Sequence, residues 1–307
     1  MDSIATISLA RPLPEIADEL GRSFAEYGFA IVRDHTIPQD LIDRAETMAR
    51  EFFALPADVK HGYHVEGGGG ARGYTPFGTE IANDAEVHDL KEFWHIGRSL
   101  PADHPLSRYM QPNIWPAEVP GFRDTFERLF HAFEDTGSLI LGAIALHRGL
   151  DADWFEDSVK DGNSVMRLLH YPPLPADAAP GAIRAAAHGD INTITLLLGA
   201  EEAGLELLDR RGNWIPVSPP PGALAVNVGD MLDRLTNGRL RSTTHRVVNP
   251  TGEAARRSRY SMPFFLHFRP DFLIEPLESC VEPGEEPQPP ILAHDYLLQR
   301  LREIGLA

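Results

Sequence analysis

The sequence is organised around the stretch Ala187-His188-Gly189-Asp190-Ile191-Asn192-Thr193, which Thr244-His245-Arg246 complements further along the chain. In an extended strand, residues i and i+2 point to the same side, so the side chains of His188 and Asp190 can reach one ion. Two imidazoles and one carboxylate on one face of a metal leave the opposite face open. That arrangement suits ferrous iron, which accepts a co-substrate and dioxygen at the vacant positions. The pattern predicts an iron site formed by His188, Asp190 and His245.

The composition is typical of a soluble globular protein, with 43% hydrophobic and 24% charged residues in a chain of 307. The formal net charge of -17 argues against nucleic acid as a partner, because phosphate binding needs a basic surface. The single cysteine, Cys280, rules out an internal disulfide and fits a reducing compartment. We see no signal peptide and no apolar run of the roughly 18 residues that span a bilayer. We therefore expect a cytoplasmic protein without membrane contact, whose oligomeric state does not follow from the sequence.

The N-terminal half has helical patterns and the C-terminal half has strand patterns. Apolar residues recur at helical spacing over 13–27, 39–55 and 120–150, and a short buried strand is predicted over 29–32. After residue 161, short apolar runs alternate with turn signals, which indicates an antiparallel sandwich or barrel. The sequence predicts an α+β fold, a double-stranded β-helix (jelly roll) with helices packed on the outside. We expect one domain, with a helix-rich region 1–160, a metal-binding jelly-roll core 161–275, and a connector and helix over 276–307.

A second cluster of polar residues follows His245. Arg259 and Ser261 share one face of a predicted strand, so a guanidinium and a hydroxyl can bind one carboxylate together. The apolar run over 262–268 places Arg259 near the buried part of that strand, where an unpaired charge is costly. Arg257 lies on the same face by parity and remains an alternative, as does a simple surface cluster of arginines.

Together these motifs resemble the isopenicillin N synthase-like branch of the non-haem iron, 2-oxoglutarate-dependent dioxygenases. The resemblance covers most of the chain and rests on motifs that occur in the family's order. These are Gly28-Phe29, Arg72-Gly73-Tyr74, His188-Gly189-Asp190, Asn227-Val228-Gly229-Asp230, Thr236-Asn237-Gly238, Ser242-Thr243-Thr244-His245-Arg246-Val247 and Arg259-Tyr260-Ser261.

The resemblance implies Fe(II), 2-oxoglutarate and dioxygen as cofactor and co-substrates, and oxidation of a small organic molecule with decarboxylation of 2-oxoglutarate to succinate. It makes His188, Asp190 and His245 the iron ligands. Arg259 and Ser261 would bind the distal carboxylate of 2-oxoglutarate, and Tyr171 would add a hydroxyl. One position departs from the pattern: many plant members have asparagine where this chain has Leu169, so one polar contact near the iron is missing.

The substrate pocket is the least defined part of the sequence. By position and resemblance, its candidate residues are Arg72, Tyr74, His95, Arg167 and Phe264. An arginine near the iron suggests an anionic substrate, and we hypothesise a small organic acid, amino acid or secondary metabolite. The glycine run over 67–70 is either a mobile entrance to this pocket or a plain surface loop.

Three alternatives stay open at this point. An oxidase of the same family that does not use 2-oxoglutarate, acting on a peptide or amino-acid-like substrate, would bind its substrate's carboxylate with the same Arg259 and Ser261 pair. A non-catalytic binding protein would keep the fold without the chemistry. A zinc hydrolase also uses two histidines and one aspartate, but it explains neither Arg259 nor Ser261.

Overall fold

The computed structural model describes residues 4–68, 70–79, 88–175, 181–199 and 204–303. Its helices are α1 (Leu13–Tyr27), α2 (Gln39–Phe53), α3 (Ala57–His61), α4 (Phe122–His147), α5 (Glu156–Val159), α6 (Asp230–Leu235) and α7 (Ala293–Glu303). The helices predicted over 13–27, 39–55 and 120–150 are confirmed as α1, α2 and α4. Gly69 of the glycine run and residues 304–307 of the predicted C-terminal region lie outside the described residues.

The strands assemble into two principal sheets. The strands are β1 (Thr6–Ser8), β2 (Phe29–Arg33), β3 (Gly73–Thr75), β4 (Glu92–Gly97), β5 (Val165–Tyr171), β6 (Ala185–His188), β7 (Ile194–Leu198), β8 (Leu205–Leu208), β9 (Trp214–Pro216), β10 (Leu224–Val228), β11 (His245–Val247), β12 (Arg259–Leu266), β13 (Leu273–Ile274) and β14 (Ile291–Leu292). The larger sheet has the order β1-β2-β10-β7-β12-β5-β4-β3 and the smaller one β6-β11-β8-β9. The predicted α+β jelly roll is confirmed.

The two faces of the larger sheet have different neighbours, because side chains alternate along each strand. One face packs on the smaller sheet, where Phe29 joins Leu207 and Val247 in a buried cluster. The other face packs on the helices. There Phe264 of β12 stacks on Phe133 of α4, with 5.2 Å between ring centroids. The space between the two sheets therefore holds the candidate site, while the helices support it from behind.

The N-terminal region is more than a helical layer, because its strands complete the larger sheet. β2 pairs with β10 and β4 pairs with β5, in both cases antiparallel. Gly28 makes this possible at the end of α1. Its φ of 68° is a left-handed conformation, and a Cβ there would lie 2.2 Å from the hydroxyl oxygen of Thr243. Glycine thus turns the chain from α1 directly into β2, next to the segment that leads to His245.

Helix α4 is long and apolar enough, by length and composition, to cross a membrane. A core helix passes the same test, and most of the apolar window of α4 is buried inside the protein. Phe126, Phe133, Ile140 and Ile144 are inaccessible to solvent. The apolar stripe that predicted this helix packs against the sheet and the neighbouring helices.

Candidate metal centre

His188, Asp190 and His245 lie together at the edge of the smaller sheet. β6 and β11 are antiparallel neighbours, and their register places His188 directly opposite His245. The potential ligand atoms of the three side chains lie within 4.8 Å of one another. Each imidazole Nε2 is 3.9 Å from a carboxylate oxygen of Asp190. Three donors at this separation can contact one small ion placed between them.

Backbone carbonyls orient both imidazoles. The Nδ1 of His188 is 2.7 Å from the carbonyl oxygen of Ala186, and the Nδ1 of His245 is 3.1 Å from that of Thr243. A carbonyl oxygen only accepts, so each Nδ1 carries the proton and donates it. The Nε2 lone pairs are then available on the side of Asp190. This is the usual outer hydrogen bonding of histidines that bind a metal.

Asp190 reaches this position differently from our expectation of a shared strand with His188. β6 ends at His188, and Asp190 follows in the connection to β7. Its carboxylate Oδ2 accepts hydrogen bonds from the Thr195 hydroxyl at 2.6 Å and the Asn227 amide at 2.7 Å. Its carbonyl accepts from the backbone N–H of Asp230 at 2.7 Å. Contacts from three other segments, two to the carboxylate and one to the backbone carbonyl, fix Asp190, and strand alternation does not.

The protonation states suit metal binding. Burial, with the nearby charge of His245, lowers the pKa of His188 to about 4, so its imidazole is neutral at pH 7. Burial alone would raise the pKa of Asp190. The two histidines and the hydrogen bonds from Asn227 and Thr195 outweigh burial and lower that pKa, so the carboxylate is ionised. A neutral His188 and an ionised Asp190 are the forms in which these two side chains bind a divalent metal ion.

A substitution of Asn227 tests whether its amide supports the Asp190 carboxylate in metal binding. We expect Asn227→Ala to weaken iron binding about 10-fold or more, because outer hydrogen-bond partners of metal ligands typically have effects of that size. The affinity can be measured by competition with a chromogenic chelator. Asn213→Ala is the matched control, since Asn213 is exposed and hydrogen-bonds to Asp209 outside the site. An unchanged iron affinity in Asn227→Ala would show that the amide does not support the ligand.

Arg259 is buried between the two sheets, with 1% of its surface exposed. Among the residues that the structure describes, its Nη atoms make only long hydrogen bonds, at 3.4 Å to the Ser261 hydroxyl and 3.5 Å to the Gly199 carbonyl, and its buried Nε has no partner. No carboxylate in the described part of the chain forms an ion pair with it. A buried guanidinium with an orphaned donor fits a carboxylate supplied by a bound molecule.

The neighbours of Arg259 are also consistent with the binding of a carboxylate. Tyr171 pairs with Arg259 across β5 and β12, and the guanidinium carbon lies 5.2 Å from the centre of its ring. Ser261 is also buried. Arg257, the alternative by parity, is at the surface, where it pairs with the exposed Glu253 at 3.5 Å. The sheet thus brings Arg259, Ser261 and Tyr171 together, whereas Arg257 lies outside this group.

A cavity between the sheets connects the candidate metal ligands with Arg259, Ser261 and Tyr171. Its empty space, with the open mouth included, is about 570 Å³. The three candidate ligands, Arg259, Ser261 and Tyr171 all line it. Of the substrate-pocket candidates, Arg167 lines it as well.

Three of the other pocket candidates lie elsewhere, which corrects our expectation for them. Phe264 points to the helices, because its parity on β12 is opposite to that of Arg259. Tyr74 is buried and donates its hydroxyl proton to Glu92. Arg72 is buried against Gly97, and its guanidinium donates to backbone carbonyls, including that of Gln111 at 3.1 Å. None of these three side chains lines the cavity.

His95 acts through Arg167 rather than lining the cavity itself. The Nε of Arg167 donates to the Nε2 of His95 at 2.6 Å, and the Nδ1 of His95 donates to the Gly70 carbonyl at 2.5 Å. The Arg167 guanidinium carbon lies 4.3 Å from the ring centre of Phe93 and 5.5 Å from that of Phe265. An aromatic and hydrogen-bonded frame therefore holds this arginine in the wall.

The sequence reading missed Lys91, Thr195 and Asn227, which also line the cavity. Lys91 precedes β4 and shares the parity of Phe93, so strand alternation could have suggested it. Thr195 and Asn227 lie on neighbouring strands, and only the pairing of β7 with β10 places them side by side.

Two families match parts of this chain. Residues 4–118 match the family described as non-haem dioxygenase in morphine synthesis, N-terminal. Residues 162–268 match the 2OG-Fe(II) oxygenase superfamily, and this second range includes all three candidate ligands.

Whole-length relatives are consistent with these matches. The 2-oxoglutarate-Fe(II) type oxidoreductase hxnY of Emericella nidulans is 37% identical over 90% of this chain and 81% of its own. Among solved structures, a protein from Caulobacter crescentus provisionally assigned to the 2OG-Fe(II) oxygenase family is 51% identical, with a TM-score of 0.91 over 99% of both chains. A full-length protein from Neurospora crassa, solved in complex with alpha-KG and thymine, is 29% identical, with a TM-score of 0.87 over 97% of this chain and 96% of its own.

Proposed function

Because this chain belongs to the 2OG-Fe(II) oxygenase superfamily, we propose that it is a dioxygenase whose substrate is a small organic acid. The enzyme uses Fe(II), 2-oxoglutarate and dioxygen, and it oxidises its substrate while 2-oxoglutarate is decarboxylated to succinate. The relatives named for 2-oxoglutarate do not favour the oxidase that works without it. The iron, when bound, supplies the activation of dioxygen.

In this proposal His188, Asp190 and His245 hold the iron, and Arg259, Ser261 and Tyr171 bind the distal carboxylate of 2-oxoglutarate. The convergence of the three ligand atoms and the unpaired Nε of Arg259 support these roles. Neither histidine acts as a general base, because ligation uses the Nε2 lone pair. The chain's own contribution is to place the reactants and to exclude water with the apolar side chains of the cavity wall.

The observation that carries the substrate class is a second guanidinium in the same cavity. Arg167 and Tyr171 are four residues apart on one face of β5, and Tyr171 is the cross-strand neighbour of Arg259. At about 3.3 Å per residue, the two arginines lie at points roughly 13 Å apart along the sheet. One cationic site accounts for the co-substrate, and the second fits a carboxylate on the substrate.

A competition between acids and their amides tests the substrate class. We expect small carboxylic acids to stimulate succinate formation from 2-oxoglutarate, with kcat/KM about 10-fold or more above that of the matched primary amides, because an amide loses the charge-assisted contact. Aliphatic, aromatic and heteroaromatic acids should be compared, with His188→Ala as the background. Stimulation by neutral heterocycles such as thymine, with acids inactive, would overturn the organic-acid proposal.

A further inference from the structure

We propose that Arg300 of helix α7 is a positioning residue for the iron. It acts through Asp230, the first residue of α6, on the segment from His188 to Asp190. The inference rests on the ligand set proposed above and goes beyond it, because it makes a helix outside the jelly roll part of the metal centre. Attachment of α7 to α6 and binding of the metal then stabilise each other.

Helix α6 is bonded through its first residues to the segment that contains Asp190. The backbone N–H of Asp230 donates to the Asp190 carbonyl at 2.7 Å, and that of Met231 donates to the Asn192 carbonyl at 3.1 Å. The first N–H groups of a helix have no partner inside it, so they are available to the carbonyls of another segment. A movement of the start of α6 therefore displaces Asp190 as well.

The carboxylate of Asp230 lies against Gly189, the glycine between the first two candidate ligands. A Cβ built on Gly189 would lie 3.5 Å from Asp230 Oδ1 and 3.4 Å from the hydroxyl oxygen of Ser242. The same helix reaches the approach to His245, because the backbone N–H of Ser242 donates to Asp233 Oδ2 at 2.8 Å. Helix α6 thus contacts both parts of the chain that carry candidate ligands.

Arg300 is the residue with which α7 contacts the start of α6. Its Nε lies 3.1 Å from Asp230 Oδ2, and its Nη1 lies 2.5 Å from Oε2 of Glu303 in the same helix. The Asp230 side chain is 16% exposed, so its carboxylate is largely withdrawn from water and is stabilised by a cation at this distance. The pair therefore fixes the Asp230 side chain and, with it, the first turn of α6.

Helix α7 has few buried attachments. Within the described part of the chain, its only buried residue is Ala293 at its start. Further along, the ring centre of Tyr296 lies 5.4 Å from the guanidinium carbon of Arg234 in α6. Because a partly exposed ion pair contributes little to the free energy of unfolding, Arg300→Gln should leave the fold intact and expose its effect on the metal.

The sign of the change in metal affinity separates positioning from a purely electrostatic effect. Arg300→Gln leaves the Asp230 carboxylate without its counter-charge, and an extra negative charge near the site would by itself strengthen the binding of a cation. We expect instead that Fe(II) binds about 3- to 10-fold more weakly in chelator competition without oxygen, a smaller loss than the about 10- to 100-fold of direct outer partners of a ligand. Unchanged or tighter binding overturns the proposal.

Two variants of the same helix are the controls. Arg302→Gln removes an equal charge at an exposed position, and it should bind Fe(II) as the wild type does. Arg300→Lys keeps a cation in reach of Asp230 and should recover most of the lost affinity. Equal weakening in Arg302→Gln would contradict the proposal, because the charge of α7 and not the contact with Asp230 would then be responsible.

Hydrogen exchange measures the coupling from the other side, because coupling between two sites is reciprocal. Zn(II), which is redox-inert, is added to the full-length protein, and the exchange of the α7 amides is followed by mass spectrometry. We expect Zn(II) to slow this exchange in the wild type and not in Arg300→Gln. An α7 that exchanges at the same rate with and without Zn(II) in the wild type overturns the proposal.

His188→Ala distinguishes failure of this inference from failure of the ligand set. If His188→Ala binds Fe(II) as tightly as the wild type, the proposed ligand set is wrong. If His188→Ala loses the metal while Arg300→Gln keeps full affinity, the ligand set stands and only the role of Arg300 is removed.

Discussion

His188→Ala is expected to abolish the weak visible charge-transfer band that forms when Fe(II) and 2-oxoglutarate are added without oxygen, and with it all turnover. The variant loses one of three ligand side chains, and the remaining pair, Asp190 and His245, cannot hold the ion in the same geometry. Loss of an outer hydrogen bond alone costs a metal site about 10- to 100-fold in affinity. The loss of a ligand should exceed that range.

The measurement is a titration of Fe(II) with and without 2-oxoglutarate, followed by absorbance and by chelator competition. His131→Ala is a suitable control, because His131 is an exposed histidine on α4 that does not line the cavity. Wild-type iron affinity in His188→Ala would refute the proposed ligand set. Asp190→Ala and His245→Ala should behave as His188→Ala does, since the three side chains form one site.

Arg259→Gln is the second change with a large expected effect. We expect the dissociation constant for 2-oxoglutarate to rise about 30-fold or more, because truncating one partner of a buried, hydrogen-bonded charge pair typically costs about 2–5 kcal/mol. Calorimetry on the Zn(II)-loaded protein measures this without relying on turnover. Iron affinity in the absence of 2-oxoglutarate should change little, which separates this variant from His188→Ala.

The same variant should leave the ligand-free protein at least as stable as the wild type. Within the described part of the chain, Arg259 is buried with an unpaired Nε and only long hydrogen bonds, so its charge opposes folding until a carboxylate binds. Urea unfolding of the metal-free protein measures this stability. Arg257→Gln is the matched control, since Arg257 is exposed and pairs only at the surface. A loss of 2-oxoglutarate affinity as large in Arg257→Gln would contradict the proposed role of Arg259.

Local patterns accounted for most of the secondary structure. The apolar stripe over 120–150 predicted α4 because helical spacing alone places those side chains on one face. Alternation on β12 likewise placed Arg259 and Ser261 on one face, and the structure confirms that both line the cavity. The same rule, applied further along the strand, would have excluded Phe264 from the pocket. That error came from trusting the resemblance over the parity of the strand.

Arg72 and Tyr74 are a different case, because nothing local shows which way they point. Tyr74 turns to Glu92 and Arg72 turns to Gly97 and Gln111, and these partners are distant in sequence. A polar residue in a family motif can equally line the cavity or support its wall. Only the packing of β3 against β4 decided between the two.

By itself, the sequence determined the elements and the identity of the candidate ligands, because periodicity and residue type act within a few neighbouring positions. The tertiary structure alone decided which polar groups surround them. The pairing of β6 with β11 places His188 opposite His245, and Thr195 and Asn227 hold Asp190 from two other strands. Lys91 became visible only through its bond to Asp89 and the link from Asp89 to Ala186, 97 residues away. Contacts between distant segments depend on how the sheets pair, which no local pattern encodes.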